Sequence, residues 1–297
     1  MNPLILDCAG KPLDLSRPRV MGILNVTPDS FSDGGEFLAL DMAMARAVQM
    51  VEEGAAIIDV GGESTRPGAA EVSTDAELDR VLPVIEAVCD AVDVPVSVDT
   101  RKPAVMQAAV AAGAGMINDV YALREDDAIE VAAGTGVPVC LMHMQGQPGT
   151  MQDAPQYADV VGEVGDFLQD RAAACEAAGI DRRRILLDPG FGFGKTVEHN
   201  LLLLQQLQQL TGRGYPVLVG LSRKSLIGKV LGLPVDNRLY PGLSLAVIAA
   251  WQGARIIRTH DVGATREALD MCHAVMAPDA VTLYEAAKPA NTCTDRT

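Results

Sequence analysis

Aromatic side chains and positive charge are both scarce in this 297-residue chain. It has one tryptophan and 4% aromatic residues, with 24 Lys and Arg against 39 Asp and Glu. The formal net charge of −15 repels phosphate backbones and anionic lipid, so neither nucleic acid nor membrane is an expected partner. An anionic small molecule stays compatible with it, because a pocket can collect a few cations locally. The six cysteines (Cys8, Cys89, Cys140, Cys175, Cys272 and Cys293) form no Cys-x-x-Cys pair, which argues against a zinc site or a disulfide framework. No apolar run approaches the roughly 20 residues of a membrane span. The opening Met1-Asn2-Pro3-Leu4-Ile5-Leu6-Asp7 lacks the basic end and long apolar stretch of a secretory signal. With 48% hydrophobic residues, general disorder is excluded. The expectation is a soluble, cytoplasmic protein with reduced thiols.

What the chain does have is a repeated alternation. Eight short aliphatic runs recur at Val20–Leu24, Ala56–Val60, Val94–Val98, Gly115–Ile117, Val137–Leu141, Arg184–Leu187, Tyr215–Val219 and Ala254–Ile257. Continuous apolar character suits strands buried on both faces of a parallel sheet. Between them lie Ala- and Leu-rich stretches with helical spacing, at Asp41–Glu53, Asp75–Ala91, Pro103–Ala112, Asp159–Ala178, Asn200–Leu210 and Ser244–Gln252. Several stop at a glycine (Gly54, Gly113, Gly179, Gly253) that suits a left-handed helix end. Eight such units predict an α/β fold, a single (β/α)8 TIM barrel. An open doubly wound sheet seldom needs eight evenly spaced units. Residues 1–18 read as an N-terminal extension with a hairpin around Ala9-Gly10-Lys11, residues 19–280 as the barrel and 281–297 as a polar tail.

Polar residues follow each run: Asn25, Gly61-Gly62-Glu63, Asp99, Asn118, His143, Asp188, Ser222-Arg223-Lys224, and Arg258 with His260. Any one of these is explained by a helix cap or a turn. Eight in succession point to the C-terminal rim of a barrel, where active sites sit, and the cations Lys224 and Arg258 fall on the last two strands, where phosphate is often bound. The glycine-rich Asp188-Pro189-Gly190-Phe191-Gly192-Phe193-Gly194-Lys195-Thr196 is not a P-loop, since Pro189 stands where that motif needs glycine. It also lacks the dinucleotide spacing. Its glycines suit close backbone approach to a flat ligand, with Phe191 or Phe193 offering a face. Long loops at Val26–Gly35 and Ser64–Ala69 read as lids or binding loops. With no second histidine at ligand spacing, His143 reads as a hydrogen-bonded strand-end residue rather than a metal ligand.

Five segments together resemble the dihydropteroate synthase family. They are Asn25-Val26-Thr27-Pro28-Asp29-Ser30-Phe31-Ser32-Asp33-Gly34-Gly35, Gly61-Gly62-Glu63-Ser64-Thr65-Arg66-Pro67-Gly68, Asp188 to Lys195, Ser222-Arg223-Lys224-Ser225 and Arg258-Thr259-His260-Asp261. The likeness runs in order from about residue 19 to 275. One departure is Leu239-Tyr240-Pro241-Gly242-Leu243-Ser244, where the family usually has a Gly-Ser-Leu-Ala type helix start; proline is tolerated in a first helical turn.

The resemblance implies condensation of 4-aminobenzoate with 6-hydroxymethyl-7,8-dihydropterin diphosphate, giving dihydropteroate and pyrophosphate in folate biosynthesis. It also implies Mg2+ dependence, a homodimer and a pocket targeted by sulfonamides. On that basis Asp188 is expected to accept the paired N–H groups of the pterin in bidentate fashion. Asp99 and Asn118 serve further ring nitrogens, and Lys224 donates to the ring. Arg258, His260 and Thr65 contact the diphosphate, and Asn25 offers a neutral oxygen to Mg2+. Ser225, at a helix start, receives the aminobenzoate carboxylate, with Arg66, Pro67 and Phe193 walling its ring. Lys224, Arg258 and Asp99 are the expected catalytic residues, stabilising the leaving diphosphate electrostatically. Two alternatives are a corrinoid methyltransferase barrel, which would share Asp99, Asn118 and Asp188, and a non-catalytic paralogue.

Overall fold

The computed structural model describes residues 4–26, 35–64, 71–147 and 149–280. An antiparallel hairpin, β1 (Ile5–Cys8) and β2 (Lys11–Asp14), precedes eight parallel strands. These are β3 (Arg19–Asn25), β4 (Ile57–Gly61), β5 (Val96–Asp99), β6 (Met116–Asp119), β7 (Val139–Met142), β8 (Ile185–Asp188), β9 (Leu218–Gly220) and β10 (Ile256–Thr259). They are hydrogen-bonded in the order β8-β7-β6-β5-β4-β3-β10-β9. A bridge between Leu187 and Val217, with the Leu187 N–H donating to Pro216 O at 3.0 Å, joins β8 to the β9 segment and closes the ring.

Helices α1 (Gly35–Glu52), α2 (Thr74–Ala91), α3 (Pro103–Ala111), α4 (Ala128–Thr135) and α5 (Val160–Ala177) follow the first five barrel strands. Helices α6 (Val197–Gln205) and α7 (Gln208–Thr211) follow β8, α8 (Ser225–Leu231) and α9 (Leu239–Trp251) follow β9, and α10 (Val262–Met276) follows β10. The four predicted stop glycines have φ between +93° and +110°. The stretch read as one helix over 200–210 is two. The Leu204 carbonyl, which an unbroken helix would give to residue 208, instead accepts the Gln252 side-chain amide at 2.5 Å. Pro241 lies in the first turn of α9, as its fixed φ allows.

Side-chain alternation along the strands sorts the core into two bodies. Val20, Ile58, Ile117, Leu141 and Leu187 face outward against the helices. Their neighbours Met21, Ile57, Met116, Cys140, Leu186, Leu218 and Ile256 point inward and meet Leu6, Cys8, Leu13 and Leu15 of the hairpin. The hairpin therefore plugs the N-terminal end of the barrel with apolar side chains. Each fully buried Leu or Ile of that plug contributes about 1.5–3 kcal/mol of transfer free energy.

Candidate active site

Two residues beyond the apolar inner layer, the same face of each strand comes round again. Ile57 is followed by Asp59, Met116 by Asn118, Leu186 by Asp188 and Ile256 by Arg258. A polar layer thus sits directly on the apolar plug. Strand register carries the alignment sideways: Asn25 pairs with Gly61, Gly61 with Asp99 and Asp99 with Asn118. A Cβ at Gly61 would lie 3.4 Å from the Asp99 Cβ, so the glycine leaves Asp99 room at this rim.

Arg258 is the hub. It donates from Nε to Asp59 Oδ2 at 2.5 Å and from Nη2 to Asp99 Oδ2 at 2.8 Å. Asn118 Nδ2 donates to the same Asp59 oxygen at 3.1 Å. Asp59 lies inside an apolar run, which hides it among the strand residues of the sequence. The available signal was the charge itself, since a carboxylate in a strand buried on both faces requires a partner. Burial works against the Arg258 charge, but Asp59 and Asp99 outweigh it and hold the guanidinium above its ordinary value. Burial pushes Asp99 up to about 7 against the pull of Arg258, with Asp59, Glu77 and Asp119 adding to the rise.

Across the mouth, burial pushes Asp188 up to about 6, opposed by the Gly190 N–H and by Lys224, Lys195 and Arg258. Burial likewise lowers Lys224 to about 8, with Asp188 opposing. Lys224 Nζ stands 4.3 Å from the centroid of the Phe193 ring, within cation–π range. Phe191, by contrast, is sealed in the core, so Phe193 is the ring at the mouth. Arg223, which follows Ser222 with φ +55°, pairs with Asp261. Arg238 donates to the carbonyls of Arg223 and Lys224, fixing the turn that presents Lys224 and the exposed Ser225. His260 Nδ1 lies 3.0 Å from Ser222 Oγ, and the His260 N–H donates to that oxygen at 3.2 Å.

His143 is a hydrogen-bonded strand-end residue, 2.9 Å from the buried Lys195 Nζ. Lys195, quoted in the sequence only as part of a motif, proves to be inside the loop. Thr65, Arg66 and Pro67 lie outside the described residues. Their preceding Glu63 pairs with Lys102, which also reaches the buried Glu77. Among the described residues no group of three His, Cys, Asp or Glu side chains is placed to hold a metal. The mouth therefore offers a bidentate carboxylate, an amide, two cations and a ring face, a set suited to a flat polar heterocycle carrying an anion.

The sequence pattern of the pterin binding enzyme family matches residues 21–260. Dihydropteroate synthase of Escherichia coli (strain K12) is 54% identical over 276 residues, covering 93% of this chain and 98% of that protein. The solved structure of Xanthomonas albilineans dihydropteroate synthase with 4-aminobenzoic acid superposes with a TM-score of 0.88 at 53% identity, over 93% of this chain and 99% of that one. The same enzyme in complex with 7,8-dihydropteroate gives a TM-score of 0.84 at 51% identity, over 92% of this chain and 99% of that one.

Proposed function

The chain belongs to the dihydropteroate synthase family of pterin binding enzymes and is a transferase, and from that premise we propose how its own residues carry the reaction. The reaction joins 4-aminobenzoate to (7,8-dihydropterin-6-yl)methyl diphosphate and releases 7,8-dihydropteroate and diphosphate. The observation that carries the assignment is the pairing at one mouth of the buried Asp188 carboxylate with the Arg258 hub. Ionised Asp188 accepts the exocyclic amino and ring N–H of the pterin. Asn118 and Asp99 take further ring nitrogens, and Lys224 donates to the ring edge. Arg258 and His260 face the diphosphate, joined by Thr65.

The methylene C–O bond breaks with its electron pair leaving on diphosphate, and Arg258 stabilises the charge that develops there. The pterin spreads the resulting cation over its ring. The 4-aminobenzoate nitrogen forms the C–N bond and releases a proton to solvent or diphosphate. Ser225 receives the aminobenzoate carboxylate, with Phe193, Arg66 and Pro67 about its ring.

A Mg2+ ion fits as one carried in by the diphosphate, because Asn25 supplies a neutral oxygen at the rim and no acidic cage is built there among the described residues. When bound, it would neutralise charge on the leaving group. Exposed Tyr240 and Trp251 of α9 and Met271 and Val275 of α10 support a homodimer. No described helix is long and apolar enough to cross a membrane. The decisive assay follows pyrophosphate release from the pterin diphosphate with and without 4-aminobenzoate. Release that depends on 4-aminobenzoate is expected. Its absence would leave a pterin-binding barrel of another activity.

A further inference from the structure

Lys195 is 2% exposed. Burial lowers it to about 7 against the pull of Asp188, so it is an ammonium below that pH, and its charge is used by none of the steps above. An ammonium has three N–H donors. Here they are spent on Gly190 O and Phe193 O, both at 2.9 Å, and on His143 Nδ1 at 2.9 Å, with His143 O at 3.4 Å. Burial and the neighbouring Lys195 hold His143 far below its usual range, so it stays neutral and accepts. A buried ammonium is costly unless its donors are satisfied, and two of these acceptors belong to the turn that links Asp188 to Phe193.

The same turn is fixed from other sides. The Gly190 N–H donates to Asp188 Oδ1 at 2.7 Å. The Gly192 N–H donates to Asn200 Oδ1 at 2.7 Å, and Gln152 Nε2 donates to Gly192 O at 2.6 Å. Tyr157 Oη donates to Gly194 O at 2.8 Å. Lys195 differs from these in tying the Gly190 and Phe193 carbonyls to one another and to His143.

We propose that Lys195 is a positioning residue for pterin binding, an internal cation around which the turn from Asp188 to Gly194 folds so that Asp188 and Phe193 reach the mouth together. This rests on the reading of Asp188 as the carboxylate that accepts the pterin N–H pair. Removing the ammonium does two things at once. It takes the Lys195 donor from the Phe193 carbonyl and from the Gly190 carbonyl, which keeps the Phe193 N–H at 3.1 Å, and it withdraws a positive charge from beside Asp188. The other groups facing Asp188 are Lys224 ahead of α8, Arg258 of β10, the Cys140 thiol of β7 and the neutral His143 just after β7. None of them replaces the missing charge from inside the turn.

The test uses K195M, and K195Q as a second variant that keeps two N–H donors without the charge. Thermal unfolding establishes that each is folded. Calorimetric titration with 6-hydroxymethylpterin then gives affinity as a function of pH, with D188N alongside. For K195M the expected result is a loss of pterin affinity of roughly tenfold or more. The acid limb should also move up by about one pH unit, as loss of a neighbouring cation favours the neutral carboxyl. K195Q should recover part of the affinity and keep the displaced limb. Folded variants with the wild-type affinity and limb, beside a D188N that loses pterin, would overturn the proposal alone. A D188N that binds pterin undiminished would overturn the reading of Asp188 instead. Failure of both Lys195 variants to fold would assign the residue to the fold and overturn its positioning role.

Discussion

Arg258 is anchored from below by Asp59, whose Oδ2 accepts its Nε–H at 2.5 Å from a position with no exposed surface. The second oxygen of that carboxylate, Oδ1, is buried with no hydrogen-bond partner among the described residues. Asp59 is thus committed to Arg258 and Asn118, and the guanidinium is held between the carboxylates of Asp59 and Asp99. Removing Asp59 leaves a buried cation short of a partner. D59A is expected to lower the unfolding free energy by about 3 kcal/mol, the usual range for breaking one side of a buried pair. D59N should lose less, because its amide oxygen can still accept one hydrogen bond. Urea unfolding measures both, and a D59A as stable as the wild type would remove Asp59 as the anchor.

Arg258 itself divides binding from chemistry. It meets the pterin pocket through Asp99, but its charge is needed most when electrons collect on the departing diphosphate. R258A should therefore lower kcat about 100-fold or more, a typical consequence of deleting one preorganised charge. Pterin affinity should fall far less. Steady-state kinetics together with direct pterin titration separate the two, and an unchanged kcat would take Arg258 out of the chemical step. R258K is expected to rescue little, since the single Nζ of a shorter side chain cannot stand at both the Nε and the Nη2 positions from which Arg258 meets Asp59 and Asp99.

Acidity gives an independent reading of the pocket. Asp188, pushed up to about 6 by burial, is ionised above that pH and accepts the pterin N–H pair. As pH falls through 6 it takes a proton, and pterin affinity should fall with it. Lys224, pushed down to about 8 by burial, carries its proton below that pH and should lose affinity for the ring edge above it. The expected profile with 6-hydroxymethylpterin, which has no phosphate to titrate, rises through 6 and falls beyond 8. Because the pterin donors favour the charged carboxylate, binding near pH 6 should also release protons, measurable by calorimetry in buffers of different ionisation enthalpy. A profile level across both values would remove Asp188 and Lys224 from pterin recognition.

The fold was legible because strands buried on both faces leave continuous apolar runs, and all eight lie where those runs fall. Most of the strands extend a residue or two further toward the rim than the runs. Asn25, Asp99, Asn118 and Asp188 remain within the strands, since ladder hydrogen bonding does not depend on side-chain polarity. The polar rim was legible for the same reason, as a break in hydrophobicity at each strand end. Asp59 and Lys195 were not. Each is a charge enclosed by residues that belong together for another reason, an aliphatic strand in one case and a glycine-rich turn in the other. Their partners Arg258 and His143 are distant in sequence, 199 and 52 residues away, and only closure of the barrel brings them together.

Gly190 is where backbone geometry alone decides the outcome. Its φ is +66°, and a Cβ added there would lie 2.0 Å from the carbonyl oxygen of His143. That oxygen belongs to the backbone just after β7, where the His143 N–H donates to Asp188 O at 2.9 Å, so it cannot yield without parting β7 from β8. Alanine at this position combines a left-handed backbone, costing roughly 1–2 kcal/mol, with an overlap that must displace the turn. G190A is therefore expected to lose about 3 kcal/mol or more. G10A supplies the contrast. Gly10 has φ +85° in the β1–β2 turn, but nothing lies within 4 Å of its added Cβ, so only the conformational cost of about 1–2 kcal/mol applies. Urea unfolding of the two variants measures the difference. Equal losses would mean that the approach of His143 to Gly190 does not constrain the turn, and that strain in the left-handed backbone accounts for both.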